Sequence, residues 1–159
     1  MIINPAYYTA AQLAAAKQIY DAFNGWATDR GVFKPYHAAA IVEQADAESS
    51  FNPHALGDHE TAFGLWQWHG ARASQIHAAT GINVKNAPPV ADQIKAAKWE
   101  LEYSSYAKTA LPRIVAAPTA HDAGAAACLY WEQAGAPGQP AKRGVGAEAW
   151  GAYFAGLGA

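Results

Sequence analysis

"AESSFNPHALGDHETAFGLWQWHG", residues 47–70, decides how this chain is read. Glu48 stands at the end of a helical pattern. A turn-rich stretch with Asp58 and Glu60 follows, then a short aromatic run, Phe63 to Trp68, with one glutamine at Gln67. Ile41 and Ala45 precede Glu48 by seven and three positions, so all three share one helix face. A carboxyl at the inner edge of such a helix loses water, and desolvation favours its protonated form. A carboxylic acid that stays protonated near neutral pH serves as a general acid. From the helix alone, an ordinary solvated glutamate at a frayed end is the simpler reading. Asp58 fits two roles, a turn-former capping its own backbone or a second carboxylate for glycoside hydrolysis. In the second role the two carboxyls stand roughly 6.5–9.5 Å apart, leaving room for water. Thr61 would hold that water by its hydroxyl.

The rest of the chain frames this stretch as mainly helical. Of 159 residues, 52% are hydrophobic and only 15% charged, with net charge -2, which fits a single domain over residues 1–159 with a real core. That balance gives no basic footprint for nucleic acid. A first helix is expected from Thr9, its N-cap, to Gly31, with Leu13, Ala16, Ile19 and Phe23 as its apolar stripe. Pro35 opens a second, which Asn52-Pro53 stops. Residues 63–68 alternate in period two, Leu65 and Gln67 against Trp66 and Trp68, which predicts a short hairpin inserted after the second helix. A short helix ends at Gly81. A longer one runs from Pro88-Pro89 to about Lys108. Residues 109–117 read as a helical turn broken at Pro112, and residues 119–135 as one apolar, central helix. The last helix, residues 141–157, is weakened by its glycines.

The motifs resemble those of the phage tail lysozyme family, a branch of the lysozyme-like superfamily that also holds goose-type lysozymes and soluble lytic transglycosylases. Glu48-Ser-Ser-Phe51-Asn52-Pro53, Gly57-Asp58 and Thr61-Ala-Phe63-Gly64-Leu65-Trp66-Gln67-Trp68 carry the likeness. The resemblance implies a lysozyme-like helical fold and cleavage of the β-1,4 bond between N-acetylmuramic acid and N-acetylglucosamine. It makes Glu48 the catalytic acid, Asp58 the base and Thr61 the water-holder. It puts Phe63, Gln67, Trp68 and Tyr130 against the glycan strand, with Phe63, Trp66 and Trp68 as groove wall or hairpin core. Trp131-Glu132-Gln133-Ala134 stands where the family has a Tyr/Phe-Glu-x-Pro-like segment. The resemblance implies no cofactor, and peptidoglycan as partner, with other phage tail proteins beside it.

Other chemistries fit less well. His59-Glu60 begins like a zinc-protease motif, but Phe63 stands where the second histidine belongs, and His54, His59 and His69 have no standard ligand spacing. No metal is therefore expected. Cys128 with His121 would suit a cysteine peptidase, yet Cys128 falls inside an alanine-rich helix, where a thiol is inert core. One cysteine allows no intrachain disulfide. The N-terminus shows no basic region followed by an apolar stretch, and no run is long enough to span a bilayer. Action in the host periplasm or cell wall then needs holin-type release or carriage by the virion. A lytic transglycosylase and a non-catalytic peptidoglycan-binding virion module are the alternatives.

Overall fold

A computed structural model describes residues 1–105, 107–133 and 136–158. Helix α1 (Ala10–Phe23) starts where expected. Thr9 and Gln12 close a capping box, and Ala16, Ile19 and Phe23 face the core. It ends eight residues before Gly31. Asn24-Gly25 stops it, Gly25 taking φ +81°, and the chain turns into a two-stranded hairpin, β1 (Ala27–Thr28) and β2 (Gly31–Val32). The Asn-Gly pair is a stop signal that the longer helical reading passed over.

Helix α2 (Pro35–Ser49) is central. His37 to Val42, Gln44 and Ala45 are all buried, because α1 packs on one side and the two last long helices on others. Ser50 and Phe51 take left-handed backbone, φ 49° and 60°, and end it just before Asn52-Pro53. The β-element that follows has three short antiparallel strands: β3 (Leu56–Gly57), β4 (Ala62–Phe63) and β5 (Trp68–His69), in that order across the sheet. Residues 64–67 form the turn between β4 and β5, with Gly64 at φ +71° and Gln67 at φ 45°. The expected alternation along 63–68 is therefore not that of one strand. Leu65, Trp66 and Trp68 are all fully buried, whichever side the pattern gave them.

Helix α3 (Gly70–Thr80) stops at Gly81 as expected. Helix α4 (Val90–Tyr103) is shorter than expected. Ser104 goes extended, and its hydroxyl accepts the Ala107 N–H in place of another helical turn. Pro112 does not break α5 (Ala110–Ala116), because it is the third residue, where the helix needs no N–H donor. The expected helix through residue 135 divides into α6 (Ala120–Ala127) and a π-turn, Cys128–Glu132. Ala134, at the end of the family-like segment, lies outside the described residues. Helix α7 (Gln139–Leu157) is continuous through its glycines. Glycines permit close approach here: a side chain at Gly124 of α6 would strike the Arg143 carbonyl, and one at Gly146 of α7 the Glu43 carboxyl. The core holds Trp66, Trp68, Trp131 and Trp150, all fully buried.

Candidate active site

Glu48 sits in the last turn of α2, with Ile41 and Ala45 buried on the same face. Its side chain is 23% exposed, and Oε1 accepts a 2.6 Å bond from Nη2 of Arg143 on α7. The expectation of a poorly hydrated carboxyl is met in part: the group has an open edge and a charged partner. Arg143 is itself 6% exposed, so the bond is made inside the molecule. The Ser49 hydroxyl lies 3.0 Å from the carbonyls of both Ala45 and Leu65, tying the helix end to the β4–β5 turn. Phe51 is buried against Tyr8 and Trp150. Gln93 of α4 clamps the same region. Its Oε1 accepts the Leu65 N–H, and its Nε2 donates to the carbonyls of Pro53 and Pro88.

Behind Glu48 lies a buried network of charge. Glu100 of α4, 1% exposed, accepts from Nε and Nη2 of Arg72 at 2.8 and 2.9 Å. It also accepts from the indole N–H groups of Trp68 (3.0 Å) and Trp131 (2.7 Å). Four donors on one carboxylate are what a buried charge requires. Nη1 of Arg72 reaches Oε2 of Glu132 at 3.4 Å. Glu132 is 4% exposed, and its Oε1 has no partner. Burial pushes the Glu132 carboxyl up to about 8; Arg72 opposes this, and the charges of Glu48 and Glu100 add to it. Nε and Nη1 of Arg143 are also buried without a hydrogen-bond partner.

A second acid pair lies further back on α2. Asp46 accepts from the Tyr8 hydroxyl (2.7 Å) and the Trp150 indole (3.1 Å). Glu43, packed on Gly146, has no such donor. Burial first, then the Asp46 charge, lift it to about 8 against the pull of Arg143.

The β-element supplies a different kind of wall. Asp58, His59 and Glu60 all take left-handed backbone, φ 47°, 55° and 69°. The Thr61 hydroxyl donates to the Asp58 carbonyl at 2.7 Å, which secures this turn and leaves its lone pairs free. The Asp58 carboxylate is 72% exposed and 3.2 Å from Nε2 of His69. No described hydrogen bond or ion pair joins it to Glu48. Phe63 is half-buried, with the Lys85 ammonium 5.8 Å from its ring centre. Gln67 donates through Nε2 to the Gly64 carbonyl at 2.9 Å and presses Oε1 on Gly57, so its amide locks the loop.

Of two further expected sugar contacts, one is hairpin core and the other lines a groove. Trp68 is fully buried with its N–H on Glu100, beneath the site and out of reach of a glycan. Tyr130 lies under the Arg113 guanidinium, 5.1 Å away, in a shallow groove between α5 and α6 with Ala116, Asp122 and Leu129. Cys128 is buried, and burial pushes its thiol up, opposite to an activated nucleophile.

Sequence reasoning missed Arg72, Glu100 and Arg143, and named Glu132 only as part of a motif. One signal was present. Gln93 and Glu100 are seven residues apart on α4, on the face that carries Ile94, Ala97 and Leu101. Two polar groups on an apolar stripe ask for partners.

A mainly α, lysozyme-like fold with a carboxyl fixed at the end of its central helix defines a lysozyme-like enzyme domain. The family model for phage tail lysozyme matches residues 14–154, nearly the whole chain, and the chain belongs to that family. It is accordingly a phage peptidoglycan-lytic enzyme. No curated protein and no solved structure matches the chain. No helix among the described residues is long and apolar enough to cross a membrane.

Proposed function

We propose that the chain, working as one catalytic domain, hydrolyses the β-1,4 bond between N-acetylmuramic acid and N-acetylglucosamine, as an endolysin or a tail-associated lysin. Glu48 protonates the glycosidic oxygen as the bond to the sugar breaks. Asp58 activates a water on the opposite face, and Thr61, whose lone pairs are free, steers it. This is an inverting arrangement, with room for water between the carboxyls. Phe63 and Gln67 face the glycan strand. Delivery to the wall is by holin-type release or with the virion, beside other tail proteins in the second case.

The observation that carries the reading is the setting of Glu48. It has one open edge, and Arg143 fixes it from inside at 2.6 Å. A general acid needs both a fixed position and access to the leaving oxygen.

A second reading, the lytic transglycosylase, draws on the lip. Thr61 is bonded to the Asp58 backbone, and Asp58 leans on His69. In that mechanism the sugar's own 6-hydroxyl attacks and gives its proton back to Glu48, which has just protonated the leaving oxygen, so no second carboxylate is needed.

Mass spectrometry of digested peptidoglycan tests both. Hydrolysis gives reducing ends, and the transglycosylase gives 1,6-anhydro ends lighter by one water. Glu48→Gln is expected to lower wall lysis about 10²–10⁴-fold with the fold intact. Near-normal turnover in that variant would remove Glu48 from the reaction.

A further inference from the structure

Three carboxyls of the site, Glu48, Glu100 and Glu132, are bonded to two buried arginines. Glu48 takes Arg143 at 2.6 Å, and Glu132 takes Arg72 at 3.4 Å. Arg72 is shared with Glu100, which already carries four donors. Among the described residues, the ion pairs of Glu48, Glu100 and Glu132 are made with Arg72 and Arg143, one positive charge short. Glu43 and Asp46 also feel Arg143, which deepens the shortage. The Cys128 thiol borders the same groups and stays uncharged, since burial opposes its ionisation. An uncompensated charge in such a place costs several kcal/mol, so the cluster takes up a proton instead. Glu132 is where it settles in the open site. Its Oε1 has no partner, while Glu48 has Arg143 and water.

We propose that Glu132 is a positioning acid for Glu48: the two carboxyls hold one proton between them, and that proton is the one Glu48 delivers to the leaving sugar. This rests on Glu48 being the general acid. A sugar covering the open edge of Glu48 strips its water and raises the cost of its charge. The proton then leaves Glu132, which becomes the carboxylate on Arg72, and Glu48 becomes the acid. When the glycosidic bond breaks, Glu48 gives this proton to the leaving oxygen. The pair recovers one from solvent through Glu48. Burial is the main cause that lifts Glu132 to about 8, and the charges of Glu48 and Glu100 add to it against the pull of Arg72, so Glu48 and Glu132 ionise together only at high pH.

Two measurements test this on the full chain. The first is the pH profile of wall lysis in the wild type, Glu132→Gln and Glu132→Asp. Loss of the shared site should move the alkaline limb of the glutamine variant toward acid by about one pH unit or more, the coupling at which two sites titrate as a pair. The aspartate variant should keep part of that limb. A merely structural role would lower activity at every pH and leave the limb in place. The second needs no catalysis: the C=O stretch of a protonated carboxyl, followed by infrared difference spectroscopy. Glu43 also holds its proton up to about 8, so the spectra are taken in a Glu43→Gln background, where the band should disappear with a midpoint near 8. Adding Glu48→Gln, which removes the repelling charge and leaves a neutral amide beside buried Arg143, should lower that midpoint. An unmoved limb in a folded Glu132→Gln protein, or an unmoved infrared midpoint in Glu48→Gln, overturns the proposal. Retained lysis by Glu48→Gln would instead overturn the role of Glu48 in catalysis, while the infrared titration would still decide whether the proton is shared.

Discussion

The two sides of the candidate site are built by opposite means. On the helical side, each carboxyl is held by groups far away in the chain. Glu48 meets Arg143 across 95 residues, and Glu132 meets Arg72 across 60. On the β side, the exposed lip is held locally: Thr61 bonds Asp58 three residues back, and Gln67 bonds Gly64 at the same interval. The first side is dry and the second is wet. In a dry wall a charge is fixed by what surrounds it, so position and protonation are set together. In a wet turn the backbone sets position, and solvent levels the charge. An acid benefits from the first setting. A base that must meet a water from solvent tolerates the second.

Substitutions on the two sides should therefore fail differently. Glu100→Gln is the most damaging to the fold. It puts a neutral amide where a buried carboxylate meets Arg72 and two indole N–H groups, a loss of about 3–5 kcal/mol. At about 2–4 °C per kcal/mol for a chain of this size, thermal unfolding followed by circular dichroism should show it plainly. A shift of only a degree or two would mean that the buried network is not what fixes the helical wall.

Asp58→Asn should do the reverse. The exposed side chain contributes little to stability, so the melting temperature should stay within about 1–2 °C. Wall lysis should still fall at least about 10²-fold if Asp58 is the base. Normal lysis with anhydro products would assign the reaction to the transglycosylase and reduce the lip to a sugar-guiding turn.

The smallest effect concerns pH. The folded Glu43 holds its proton up to about 8, far above an unfolded glutamate. The folded state thus binds more protons than the unfolded one between these values, and stability must fall as pH rises through that window. The contribution is complete below the ordinary carboxyl range and gone above about 8. Glu132 acts with the same sign. Glu43→Gln should flatten part of this slope, leaving the variant more stable than the wild type by about 1–2 kcal/mol on the alkaline side. Urea titrations at acid and alkaline pH would show it. Parallel stability curves would place Glu43 in contact with water.

What could be read in the sequence follows the same division. The Thr9 cap, the Pro35 start, the Gly81 stop and the 48–68 motifs are local, and each shows in a few neighbouring residues. The hairpin at 27–32 was legible too, through Asn24-Gly25, but helical periodicity masked it. Trp66 and Trp68 defeated the period-two reading because both are buried, one bonded to the Ile41 carbonyl and the other to Glu100. No spacing rule connects Arg72 with Glu100 or Arg143 with Glu48. Those partners meet only after α3, α4 and α7 have packed, so their pairing is a property of the fold.

The π-turn at Cys128–Glu132 carries one further consequence. Such a turn is an α-helix with a surplus residue, and one residue corresponds to a rotation of about 100°. Trp131 points at Glu100, and Glu132 at Arg72, by virtue of that surplus. Deleting one residue there would leave a more regular helix whose remaining side chains aim at the wrong neighbours. The site thus has a reading frame within its helix: it depends on how many residues the segment contains as much as on which residues they are.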